Sequence, residues 1–169
     1  FNYRSLTLIP GRTVSASLWS QQSNSDGESA RQGAWGGQIS YPNDIIRWRL
    51  KFKEIQENFN PALGFVNRPG IRRYDASFRY RIRPENSVFR TIDQRVMGTL
   101  ITDRDNAIES ANIFYTPFRL STQIDDVFTI QLVHLYEKIN QPFFILPNLG
   151  IPTGSHHFPS VITSLQTSR

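Results

Sequence analysis

From Ile45 to Ile55 the side chains change character at every step. Trp48, Leu50 and Phe52 fall on one parity, and Arg47, Arg49, Lys51 and Lys53 fall on the other. Only an extended strand sorts neighbours onto opposite faces in this way; a helix would scatter both sets around its circumference. The pattern returns from Ile71 to Arg83. There Tyr74, Ala76, Phe78, Tyr80 and Ile82 oppose Arg73, Asp75, Ser77, Arg79, Arg81 and Arg83. Further strands are expected over 12–22, 34–41, 89–102, 107–120, 127–137 and 158–166, all rich in β-branched or aromatic residues. No segment carries a helical period. Clusters such as Pro42-Asn43-Asp44, Pro84-Glu85-Asn86-Ser87 and Asp103-Arg104-Asp105-Asn106 supply turns between the runs, so tandem antiparallel hairpins follow. The connections from Asn58 to Gly70 and from Asn140 to Gly154 are longer, shaped loops.

The expected fold is therefore all-β, an antiparallel meander of long strands, with 1–169 a single domain or a fragment of one. Runs of about ten residues match a tilted membrane-barrel strand better than the roughly five to six of an average soluble strand. No stretch reaches the roughly 18 apolar residues of a spanning helix. A mean hydropathy of −0.40 is compatible with alternating barrel strands. In a barrel, Trp48, Leu50, Phe52, Phe78, Tyr80 and Ile82 would face lipid and the Arg and Lys rows a polar lumen. In the alternative, a soluble β-sandwich, the apolar parity would be core and the basic parity solvated.

A net charge of +5 makes an anionic partner possible. Arg47, Arg49, Lys51 and Lys53 beside Arg73, Arg79, Arg81 and Arg83 would give an anion-preferring lumen if their strands are neighbours. The competing expectation is cross-strand neutralisation by Glu54, Glu57, Asp75, Asp93 and Asp103. Nucleic acid is not an expected partner, because arginines and aromatics are sorted onto opposite faces and form no shared stacking platform. Cysteine is absent, which excludes thiol nucleophiles and Cys-ligated zinc. His134 shares the apolar parity of its strand, where a hydrogen-bonded structural histidine is expected. His156 and His157 point to opposite faces of a strand and cannot chelate one metal together. Asp125-Asp126 and Asp103 with Asp105 belong to turns. No nucleophile, metal or cofactor is assigned.

The segment Glu57-Asn58-Phe59-Asn60-Pro61-Ala62-Leu63-Gly64-Phe65-Val66-Asn67-Arg68, followed by Ile71-Arg72-Arg73-Tyr74, resembles the F-N-P-x-L-G-F-V-x-R signature of a family of uncharacterised Gram-negative outer-membrane proteins. In that family a carbohydrate-binding β-sandwich, similar to family nine modules, precedes a membrane-type β-barrel, and members are often labelled membrane-associated hydrolases. Leu135 to Phe143 and Ile151-Pro152-Thr153-Gly154 are similar to the barrel part. The resemblance implies an outer-membrane barrel segment acting as an anchor or passage linked to carbohydrate binding or uptake, with a polysaccharide hydrolase or a soluble carbohydrate-binding module as alternatives. It also implies outer-membrane lipid as a partner, with an oligosaccharide or anionic ligand as a second. Gly154-Ser155-His156-His157-Phe158 stands where G-x-Y-x-F is expected, and the chain ends without a terminal aromatic. An internal fragment is therefore expected, closed by missing strands or by another copy of the chain. Asn58, Asn60, Asn67 and Arg68 are candidate ligand contacts at a mouth, with Arg47, Arg49, Arg79 and Arg81 in the lumen. A structural role for the loop, with Phe59, Leu63 and Phe65 packed beneath it, is the other expectation.

Overall fold

A computed structural model describes residues 1–9, 11–24, 30–62, 64–146 and 149–168. Leu63 lies outside these, as do residues 25–27 of the run Ser23-Asn24-Ser25-Asp26-Gly27, whose composition suits a turn. The elements are β1 (Asn2–Ile9), β2 (Arg12–Gln22), β3 (Gly33–Pro42), β4 (Ile46–Ile55), β5 (Ile71–Ile82), β6 (Phe89–Asp103), β7 (Ile108–Thr122), β8 (Val127–Ile139), β9 (Phe143–Leu146), β10 (Leu149–Ile151) and β11 (Gly154–Gln166). There is no helix among the described residues.

Nine strands form one antiparallel sheet in the order β1-β2-β3-β4-β5-β6-β7-β8-β11, and β9 pairs only with β10. The sheet is a meander that does not close, since β1 and β11 are its two edges. Among the described residues no strand packs face to face on another, so the sandwich alternative is not what forms. The expected strands are all present. The sequence reading missed β1 and left β9 and β10 inside a loop.

Register carries the two alternating strands into line. Trp48 pairs with Phe78, Leu50 with Ala76 and Phe52 with Tyr74, so their apolar parities share one face. Trp35, Phe52 and Tyr74 follow one another across this face with ring centroids 4.8 and 5.2 Å apart. Pro117 would end an ordinary central strand. Here it lies in a bulge, between Tyr115, which pairs with Leu132, and Phe118, which pairs with Ile130. The extra residue shifts the alternation by one, returning Phe118 and Leu120 to the apolar face and Arg119 to the charged one. Pro159 sits in the edge strand β11, where a missing donor is tolerated.

The two ends of the sheet differ. At one end the connections are 10–11, 43–45, 83–88 and 123–126; at the other they are 23–32, 56–70, 104–107 and 140–153. The second end thus carries the long loops. Asn106 and Asp125 supply the positive φ of their turns, a conformation their short polar side chains tolerate. Gly70 takes φ +72° where the longest connection turns into β5.

Candidate functional site: the charged face

Coverage of the two faces differs from strand to strand: on β4 Arg47, Arg49 and Lys51 are exposed while Trp48 and Phe52 are half-buried, and on β5 the order is reversed. On β5 the apolar Tyr74, Ala76, Phe78, Tyr80 and Ile82 are exposed, while Arg73, Asp75, Ser77, Arg79 and Arg81 are half-buried. Asp93 on β6 is 1% exposed and Thr116 on β7 is 4% exposed. Among the described residues no second layer of strands covers this face.

Ion pairs gather at the two ends. At the long-loop end, Glu54 is buried and meets Arg72 at 2.9 Å and Arg104 at 3.5 Å. Glu57 accepts from Arg104 at 2.8 Å and lies 3.6 Å from Arg31. Its own backbone N–H, and then the Arg104 guanidinium, hold the Glu57 carboxyl below the usual range. At the short-turn end, Arg81 donates to Asp93 at 2.7 and 2.9 Å, and Arg95 reaches the same carboxylate at 3.0 Å. Asp44, in the turn before β4, accepts from Arg83 and Arg81. The hydrogen bond from Arg83 is the main force holding the Asp44 carboxyl below its ordinary value.

Neutralisation therefore happens, but unevenly. Asp75 takes Arg73 at 2.8 Å, whereas Asp103 is spent on capping the backbone N–H groups of Asp105 and Ala107. None of the four cations of β4, Arg47, Arg49, Lys51 and Lys53, has an ion-pair partner among the described residues. Their neighbours on β3 are Pro42, Ser40, Gln38 and Gly36, which offer no charge. On the β5 side, Arg47 lies directly opposite Arg79, and Arg79 directly opposite Arg95 of β6.

The signature loop plays a structural part in this geometry. Asn58 donates from its backbone N and its Nδ2 to the carbonyls of Arg31 and Ala30, both at 3.1 Å. The backbone N of Asn60 donates to Ser23 Oγ at 3.0 Å, and the Asn60 and Asn67 side chains are exposed. Arg68 leaves the group altogether and crosses to β7 and β8. There it donates to Ser110 Oγ at 3.2 Å and pairs with Glu109 at 2.9 Å and Glu137 at 3.8 Å. Asn58, Asn60, Asn67 and Arg68 thus do not converge on one ligand. Phe59 is buried as expected, but Phe65 is 87% exposed and does not pack beneath the loop.

Phe59, Pro61, Gly64, Phe65 and Val66 line, with Trp19, Lys53 and Ile55 among others, an open cleft of about 480 Å³ on the charged face. Gly36 makes room for Trp19, because a Cβ there would stand 3.0 Å from the Trp19 ring.

The histidines take the structural part expected of them. His134 and His157 both lie on the apolar face of β8 and β11, with Nε2 and Nδ1 3.2 Å apart. His156 donates from Nε2 to the Pro152 carbonyl at 3.4 Å. Among the described residues no cluster of ligands suits a metal ion. Arg95 is the contributor that sequence reasoning missed, because only register places it beside Arg79. Compared with protein families, with curated proteins and with solved structures, the chain matches none.

Proposed function

We propose that the chain is a segment of an outer-membrane β-barrel, serving as a membrane anchor or passage with a polar interior. One observation carries this reading: the apolar face of the nine-stranded sheet carries exposed large side chains. Leu18, Trp35, Ile39, Leu50, Phe78, Val96, Ile113, Tyr115, Leu132 and Val161 are all exposed across eight strands, and a large contiguous apolar surface of this kind is rare on a soluble monomer. Strands of 10–15 residues from β2 to β8 are long enough for a tilted crossing, which needs about 9–11. Short turns at one end and long loops at the other are the connection pattern of such barrels. The resemblance of 57–68 to an outer-membrane signature points the same way.

The polysaccharide-hydrolase alternative draws less support. Glu54, Asp75 and Asp93 each accept from arginine, which suits holding strands together better than acid–base work.

Closure requires strands beyond these nine or a second copy of the chain, since open edges cannot stand in lipid. The test is to express the chain with its native flanking sequence, fractionate the membranes and compare heated with unheated samples on a gel. Outer-membrane partition with a heat-dependent shift is expected. A detergent-free soluble monomer would overturn the reading.

A further inference from the structure

We infer that the transverse row Arg47–Arg79–Arg95 is a binding site for an oxyanion, the phosphoryl or carboxylate group of an anionic ligand. This rests on the barrel reading only in placing the row on an interior wall.

The argument begins with a cost. Directly opposed residues on adjacent strands have Cβ atoms about 4.5–5.5 Å apart, and like charges so placed are destabilising. Arg47 opposes Arg79, and Arg79 opposes Arg95. Three guanidinium groups therefore stand side by side on β4, β5 and β6. The next row towards the short-turn end solves the same problem with alternation, because Arg81 faces Asp93 and Asp93 faces Arg119. Arg81 and Arg95 already share the Asp93 carboxylate, so it has little left for Arg79. Among the described residues Arg79 has no ion-pair partner and donates to the backbone carbonyl of Asp44, at 2.9 Å.

The second observation is independent of the charge count. The Nε atoms of Arg79 and Arg95 are buried and have no hydrogen-bond partner among the described residues. A buried guanidinium N–H without an acceptor costs about 1–3 kcal/mol, so two on adjacent strands mark a place where an acceptor belongs. Arg47 adds a third fork, exposed and without an ion-pair partner. A tetrahedral or planar oxyanion laid across the row would accept from all three strands, in the bidentate geometry that guanidinium groups favour. Beyond the row, Thr116 of β7 faces Arg95 and limits it on that side, while Pro42 limits it beyond Arg47.

The row also sorts the expected lumen residues. Arg47 and Arg79 belong to the site. Arg81 is held by Asp93 and Asp44, and Arg49 faces Ser77 one row away.

The test uses the chain with its native flanking sequence, solubilised in detergent, and inorganic phosphate as the probe. Phosphate is titrated at constant ionic strength, set with chloride, and arginine Nε–H resonances and calorimetric heats are followed. Saturable binding is expected, weakened at least about tenfold by Arg79→Gln and changed less than about twofold by Arg49→Gln. Arg47→Gln serves if Arg79→Gln does not fold, because Arg47 is exposed and without an ion-pair partner, and a similar weakening is expected. Arg79→Lys keeps the charge but loses the fork, and should fall between wild type and Arg79→Gln. Acetate in place of phosphate separates a carboxylate from a phosphoryl preference. Binding that never saturates, or that Arg49→Gln weakens as much as Arg79→Gln does, overturns the site. Heat-dependent gel migration of the same samples reports on the barrel. A heat shift without phosphate binding refutes the site alone; phosphate binding without a heat shift refutes the barrel alone.

Discussion

Leu50→Arg separates a lipid-facing surface from a water-facing one. Leu50 lies near the middle of β4, between Ile39 and Ala76, and is 52% exposed. In water about half of a leucine's burial is at stake, roughly 1 kcal/mol, and the aliphatic stem of arginine recovers part of that. The net cost should then stay below about 1 kcal/mol. On the lipid face of a barrel the same change costs about 2–4 kcal/mol near the midplane. Arg49→Leu, one residue away on the charged face, provides the mirror experiment. Arg49 has no ion-pair partner among the described residues, so its loss in a polar interior should cost under about 1 kcal/mol. The assay is a urea titration of the protein with its native flanking sequence folded into vesicles, with the heat-shifted gel band as the folded signal and the midpoint read against wild type. Leu50→Arg should lower stability by at least about 2 kcal/mol more than Arg49→Leu. Equal effects, or a larger loss for Arg49→Leu, would refute the assignment of faces.

Three further outcomes follow from the ion pairs. Glu54→Gln leaves Arg72 and Arg104 without their shared carboxylate, and should cost about 1.5–3 kcal/mol in the same titration. Asp44 has a carboxyl pKa held below its unfolded value, so its contribution is complete above the ordinary carboxylate range and is lost as pH falls through the lowered value. Acidification should therefore lower the amide protection factors at the 43–45 turn, measured relative to intrinsic exchange at each pH, and Asp44→Asn should abolish that fall; an unchanged fall in the variant would refute it. Arg68→Ala removes the tie from the 56–70 loop to β7 and β8. Limited proteolysis should then cut within 56–70 several times faster while the heat-shifted band persists, and an unchanged cutting rate would sink this account of the loop.

The long strands were legible because their alternation is a local property. Trp48, Leu50 and Phe52 against Arg47, Arg49 and Lys51 need no partner to reveal two faces. β1 escaped notice because Leu6, Leu8 and Ile9 break its alternation, and β9 and β10 because runs as short as Phe143–Leu146 fall below any reliable period. Register was beyond reach for a different reason. β4 and β5 are joined by the 56–70 loop, whose length fixes no pairing, so the meeting of Arg47 with Arg79 could not be deduced. Arg95 lies in β6, and its place opposite Arg79 likewise depends on a register that the 83–88 connection does not fix by its length alone. The target of Arg68 lies 42 residues away at Ser110, and no local rule reaches so far.

The distribution of buried residues is the one that the proposed barrel would require. Among the described residues the buried apolar set is Ala34, Phe59, Ile71 and Val133, whereas Ser40, Glu54, Thr91, Asp93, Thr102, Ser110, Thr116 and Ser121 are among the buried polar ones. Ordering a chain of this length in water takes a large apolar core to offset backbone entropy, and four such residues fall far short of it. The apolar surface that would supply the driving force is present, but it faces outward from a single layer. If lipid covers that surface, as the proposed barrel requires, the missing burial is supplied without moving a strand, and the ion pairs of Asp75 and Asp93 satisfy the opposite face. The same inversion gives the arginine row its meaning. On a water-facing surface, solvent would screen Arg47, Arg79 and Arg95 and satisfy their donors; on the interior wall of the proposed barrel the buried Nε atoms of Arg79 and Arg95 would have no water, and an anion would remove both the repulsion and the unmet hydrogen bonds.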